Sequence, residues 1–190
     1  MLTELRPALV TFATLTVLTG VAYPLAVTGL AQLAFPGEAN GSLVVQDGKV
    51  VGSRLVGQSF SDPKRFWGRP SASAPYANNA TASGGSNLGP LNPALAEAVA
   101  GRVKALREAD PGNDARVPVD LVTASASGLD PHVSPAAALY QVNRVARARG
   151  LDPERVKALV DRHTQGRFAG FLGEPVVNVL ELNLALEGLR

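Results

Sequence analysis

The sequence contains no cysteine among its 190 residues, which excludes disulfides, thiolate metal sites and a cysteine nucleophile. It has two histidines, His132 and His163, far apart and without ligand-spaced companions, so no metal site is expected. Aromatic residues make up 5% of the chain, too few to interleave with the arginines as a base-stacking surface. No nucleic-acid-binding motif occurs, and nucleic acid is not an expected partner. The net charge is only +2, and no internal repeat is visible.

The most prominent feature present is a long apolar run. Residues 8–35 are 28 positions without one charged side chain, where about 20 suffice to cross a hydrocarbon core. A cleavable signal peptide has an apolar stretch of roughly 7–15 residues, so a retained anchor fits better. The expected organisation is a transmembrane helix over 1–36 followed by one soluble domain over 37–190. Arg6 on one flank nearly balances Lys49 and Arg54 on the other under the positive-inside rule. The short tail ahead of the first apolar segment favours a cytoplasmic N-terminus and an external, periplasmic domain. Thr16, Gly20, Pro24 and Thr28 recur at four-residue spacing, either a stripe for close approach of another helix or simply the Gly and Pro common in such segments, with Pro24 as a kink.

In the soluble part, Asp47-Gly48 between Leu43–Gln46 and 49–51 reads as a hairpin turn. Residues 61–90 turn to Ser, Ala, Asn, Gly and Pro, an irregular excursion in which Phe60, Phe66, Trp67 and Tyr76 are expected to pin the loop to a core. Three helices share one start, a capping residue followed by proline: Asn92-Pro93, Ser134-Pro135 and Asp152-Pro153. Leu95, Val99, Val103 and Leu106 line one face of the first, and Leu139, Val142 and Val145 one face of the second. Residues 117–122 suit a strand, and Asn178 with Glu181 forms a capping box before a terminal helix over 179–186. Strands and helices do not alternate, so the class is α+β. Residues 135–167 carry Arg144, Arg147, Arg149, Arg155, Lys157, Arg162 and Arg167, a basic stretch read as a solvated helix face, with anionic lipid or an acidic partner as the alternative.

Two segments could carry chemistry. Ser125, Ser127, Asp130 and His132 crowd hydroxyls, a carboxylate and an imidazole together, as a membrane-anchored serine hydrolase would require. However, no G-x-S-x-G elbow is present and triad members normally come from distant positions, so self-satisfied Ser and Asx turns are the preferred reading. Ser83, Gly84, Gly85, Ser86 and Asn87 form a glycine-rich turn that could nest an anion, although the P-loop pattern and its lysine are missing.

Five ordered blocks follow the apolar helix: GSRLVGQSF at 52–60, GRPSA at 68–72, SGGSNLGP at 83–90, VTASASGLDPH at 122–132 and VNVLELNLAL at 177–186. Together they resemble the C subunit of the Kdp-type potassium-transporting ATPase, the KdpC family, over nearly the whole chain. Ala126 and Val133 stand where that family usually has Gly and Ile, and Val176 and Val177 replace a pair that normally includes Arg. The resemblance implies a single-span, non-catalytic subunit of a high-affinity potassium uptake complex in the bacterial inner membrane. Its implied partners are a K⁺-translocating channel-like subunit, a P-type ATP-hydrolysing subunit and membrane lipid. It further implies a role in assembly and as a catalytic chaperone that raises ATP affinity in the hydrolysing subunit. Nucleotide contact is expected at Ser83, Gly84, Gly85, Ser86 and Asn87, no metal or organic cofactor is expected on this chain, and ATP is expected to be held by the partner.

Overall fold

A computed structural model describes residues 2–189 of the chain. The chain forms two compact units, Met1–Val51 and Gly52–Arg190.

The first unit is helix α1 (Leu2–Val17), a π turn (Leu18–Ala22) and helix α2 (Tyr23–Ala34), then one turn of helix α3 (Pro36–Ala39). From Thr3 to Ala34 the helix is long and apolar enough to cross a membrane, with mean hydropathy 1.7 in its most apolar window and none of that window buried. The π turn lies just ahead of Pro24, whose ring has no N–H to donate to the preceding turn. Strands β1 (Leu43–Gln46) and β2 (Lys49–Ser53) pair as the expected hairpin. Asp47 and Gly48 take φ of 50° and 75°, the positive angles of a type I′ turn.

The second unit places helices α4 (Pro93–Ala109), α5 (Pro135–Arg149), α6 (Pro153–Arg162) and α7 (Val179–Glu187) around a small antiparallel sheet. Strand β5 (Val176–Asn178) lies between β3 (His132–Val133) and β4 (Thr164–Gln165), in register His132 with Asn178 and Thr164 with Val177. Every helix start read from the sequence is capped as expected: the Asn92, Ser134, Asp152 and Asn178 side chains accept amide hydrogens from Ala94, Ala137, Glu154 and Glu181. Each such cap is worth about 1 kcal/mol. Val142, Val145, Val156, Val160, Val177, Leu182 and Leu186 build the core.

The structure departs from expectation at four places. Residues 117–122 form no strand; Val119–Leu121 is a 3-10 turn, because Pro118 cannot donate to a ladder and the Asp120 carboxylate instead accepts the Ser134 amide. Leu139 is exposed, and the buried face of α5 is Ala137, Ala138, Gln141, Val142, Arg144, Val145 and Ala146. Tyr76 is 62% exposed and pins nothing, whereas Phe66 is fully buried and Phe60 and Trp67 pack on the core. The basic stretch is not one solvated face either, since Arg144 is only 3% exposed.

Residues 61–90 contain a single 3-10 turn, Ala80–Ala82, so the backbone of this excursion finds its partners among side chains. Asn183 on α7 accepts the Phe66 N–H (2.8 Å) and donates to the Phe66 carbonyl (3.0 Å). Gln141 on α5 does the same for Trp67, at 2.8 and 3.1 Å. Arg144 donates to the carbonyls of Pro63 (2.6 Å) and Arg65 (3.1 Å) and to Gln141 Oε1, with its guanidinium 4.7 Å from the Trp67 ring centroid. Arg149 adds a bond to the Lys64 carbonyl. Burial pushes Arg144 down to about 10, still charged at neutral pH.

Replacing Asn183 by the similarly sized Leu leaves two buried backbone groups unpaired, at about 1–3 kcal/mol each. Asn183→Leu is therefore expected to destabilise the chain by about 2–5 kcal/mol, read in a urea titration from the fluorescence of Trp67, the single tryptophan.

Candidate functional site

The five sequence blocks meet at one end of the second unit, around the 122–132 loop. Gly57 donates its N–H to the Leu129 carbonyl at 2.8 Å, and a Cβ there would lie 2.6 Å from the Asp130 carbonyl oxygen; only glycine permits this approach. Gly128 sits at φ 68° with Gly84 O 2.8 Å from where a Cβ would be, so both conformation and space demand glycine. Val179 donates to the Pro131 carbonyl and the Asn178 side chain to the Arg54 carbonyl, joining the last block to the first. Arg54 closes the same corner with Glu181 at 2.9 Å.

The Ser125 hydroxyl accepts the Gly128 amide at 2.9 Å and the Ser127 hydroxyl accepts the Leu129 amide at 3.1 Å. Asp130 Oδ1 accepts the His132 amide at 3.0 Å. These are the Ser and Asx turns the sequence favoured. Among the described residues, neither serine is hydrogen-bonded to His132, so the loop brings the four groups together without forming a nucleophile–base pair. Asp130 is also bonded to Arg69 Nη1 at 3.1 Å, while Arg69 Nε donates to the Thr123 carbonyl. The His132 ring beside Asp130 is the largest influence holding this carboxyl below the usual carboxylate range; burial opposes it, and the His132 amide and Arg69 reinforce it. A cleft of about 550 Å³ opens here, lined by Leu55, Arg69, Ser125, Ser127, Leu129 and Asp130. Among the described residues no group of three or more His, Asp or Glu is arranged to hold a metal ion.

The glycine-rich turn is laid against this loop. Ser83 Oγ donates to the Ser127 carbonyl at 3.0 Å, and Gly84 N–H donates to the same oxygen at 2.8 Å. Gly85 packs on Ala126, while Ser86 and Asn87 are exposed. Sequence reasoning quoted Arg69 and Ser71 only as part of the block at 68–72, and did not single out Ser73, Asn78 or Asn79. Ser71 Oγ donates to the Gly128 carbonyl and accepts the Asn78 amide, and Ser73 Oγ accepts the Asn79 amide. Their signal was compositional, a high density of Ser and Asn in a stretch with no periodicity.

The blocks that build this corner are those of a recognised family: the model for the "K+-transporting ATPase, c chain" (KdpC) matches residues 5–188. The chain belongs to the KdpC family. The potassium-transporting ATPase KdpC subunit of Variovorax paradoxus is 71% identical over 183 residues, 96% of this chain and 95% of its own length. Those of Polaromonas naphthalenivorans and Methylococcus capsulatus are 68% identical over 186 residues and 64% identical over 190, covering 98% and 100% of this chain and 95% and 100% of their own. The KdpC blocks at 52–60, 68–72, 83–90, 122–132 and 177–186 thus include segments that bond to one another at this corner.

Because the folded Asp130 is the stronger acid, its stabilising contribution is complete above the ordinary carboxylate value of 3.8 and is lost as pH falls below that towards the folded value. Asp130→Asn is expected to lower the urea midpoint at pH 7, with the gap from the unaltered chain shrinking as pH drops below about 4. A gap that stays constant with pH would mean that Asp130 is not ion-paired in solution.

Proposed function

We propose that this chain is a non-catalytic, membrane-anchored accessory subunit that stabilises a potassium-transporting ATPase complex and raises the ATP affinity of the complex's hydrolysing subunit. The observation that carries this reading is that the chemically able groups of the family blocks are spent on internal turns and loop-to-loop bonds. Ser125 and Ser127 accept local amides, Asp130 is held by Arg69 and its own turn, and Gly84 is bonded to Ser127. Such a corner makes a defined surface and leaves no activated nucleophile. The companions are proposed to be a K⁺-translocating subunit and a P-type ATP-hydrolysing subunit, with the apolar helix over Thr3–Ala34 embedded beside them in the bacterial inner membrane.

The N-terminus is proposed to be cytoplasmic and the region after the helix periplasmic, as a short leading tail favours. ATP is scarce there, so the influence on ATP would pass through the assembled complex and not through nucleotide held at Ser83, Gly84, Gly85, Ser86 and Asn87. The occupied Gly84 amide supports this indirect route. In co-expression with the companion subunits the chain is expected to co-purify with both and to show no ATPase activity alone; failure to co-purify would remove the proposal.

Ser86 is exposed and its replacement should not disturb the fold, so Ser86→Ala is expected to leave the KM for ATP of the assembled complex within about twofold. A tenfold rise, about 1.4 kcal/mol of binding, would reinstate direct nucleotide contact. Alkaline phosphatase fused after Arg190 is expected to be active; an inactive fusion paired with a fluorescent cytoplasmic reporter would place the C-terminal region inside.

A further inference from the structure

A cleft of about 180 Å³ opens between α4 and the stretch of chain on either side of the buried Phe66. Phe60, Trp67, Pro70 and Leu121 wall it, and α4 contributes Arg102 and Ala105. Phe60 and Trp67 pack on the core, and Gln141 holds the Trp67 backbone at both its N–H and its carbonyl, so the aromatic walls are fixed in place. The Trp67 indole N–H is spent on the Asp62 carbonyl at 3.0 Å, which leaves the cleft an apolar ring and no indole donor.

Arg102 is half-buried and is the single charged residue in this lining. A guanidinium carries five N–H donors. Among the described residues Arg102 makes one hydrogen bond, to the Val122 carbonyl at 2.7 Å, and no carboxylate is ion-paired with it. Other enclosed arginines of this unit are better served: Arg69 has Asp130, and Arg144 has three acceptors. A cation set against apolar walls without a counter-charge is unfavourable until an anion meets it, and a planar carboxylate matches the guanidinium fork. Volume sets the size of the rest of the ligand. An apolar cavity of about 150 Å³ takes one benzene ring, so the 180 Å³ here suits one ring with a short acidic arm and is too small for a nucleotide. Aromatic walls favour a ring that can stack offset or edge-on.

We propose that this cleft binds a small aromatic carboxylate, the ring seated among Phe60, Trp67 and Leu121 and the carboxylate on Arg102. The site stands apart from the assembly reading above and adds a small-molecule ligand to it. The test titrates the full chain in detergent, with detergent blanks subtracted, using phenylacetate against acetate, which lacks the ring, and 2-phenylethanol, which lacks the charge. Trp67 fluorescence and calorimetry are the two readouts. Phenylacetate is expected to saturate with a Kd of about 1 mM or tighter, and the other two to bind at least tenfold more weakly. At ten times Kd the unfolding constant in urea is expected to fall about elevenfold, since only the folded chain has the cleft. Arg102→Gln is expected to weaken phenylacetate at least tenfold. Because that change also removes the Val122 bond, a second variant fills the space instead: Ala105 is exposed on α4, and Ala105→Phe is expected to abolish binding with the unfolding midpoint of the free chain unchanged. No saturable binding of phenylacetate, equal binding of 2-phenylethanol or acetate, or undiminished binding by either variant would each overturn the proposal.

Discussion

The second unit depends on a buried exchange of hydrogen bonds between side-chain amides and backbone. Gln141 and Asn183 each present one carbonyl and one amide, and each pairs with both backbone groups of one residue, Trp67 and Phe66 respectively. The two side chains thereby act as one rung each of a strand that does not exist, and let a segment without regular structure pass beside the core. Both are almost completely buried, where an unpaired polar group costs about 1–3 kcal/mol, so the arrangement holds only when every member is satisfied. Arg144 completes it by donating to two further carbonyls and to Gln141. Its charge is tolerated inside because the acceptors are numerous and the Trp67 ring face lies against it.

Fixing 63–67 in turn positions the residues beyond it. Gly68 and Arg69 emerge from the buried pair, and Arg69 reaches Asp130 and Thr123. Ser71 then ties the excursion to Gly128, and Gly84 runs beside Ser127. A chain of contacts thus leads from the α5–α7 core to the corner where the family blocks converge. The same residues that identify the family are those that let its loops touch.

Much of this was legible in the sequence where a local rule governs. The capped helix starts, the Asp47-Gly48 hairpin and the long apolar helix follow from backbone chemistry within a few residues, and the structure has all of them. The α+β class followed from the mixture of elements. The parts that were not legible depend on distant partners. Gln141, Arg144 and Asn183 look like solvent-facing helix positions until 63–67 is placed against them, which is why the basic stretch read as a solvated face. Strands β3, β4 and β5 have two or three residues each, too short for an alternation to show, and residues 117–122 had the composition of a strand without a partner to pair with. Of the two segments picked out for chemistry, the Ser125–Ser127–Asp130–His132 group formed turns, as self-contained Ser and Asx patterns predict. The Ser83–Gly84–Gly85–Ser86–Asn87 group read as a turn able to offer amides to an anion, but the oxygen that takes the Gly84 amide belongs to Ser127, and no local pattern announces that.

Hydrogen exchange of individual backbone amides in the folded chain tests this dependence most directly. If the side-chain amides of Asn183 and Gln141 hold the excursion as described, the Phe66 and Trp67 amides, though outside any helix or strand, will exchange as slowly as those at the centre of α5. Exchange at the rate of the exposed amides near Ser86 would contradict it and would leave the converging corner without its support.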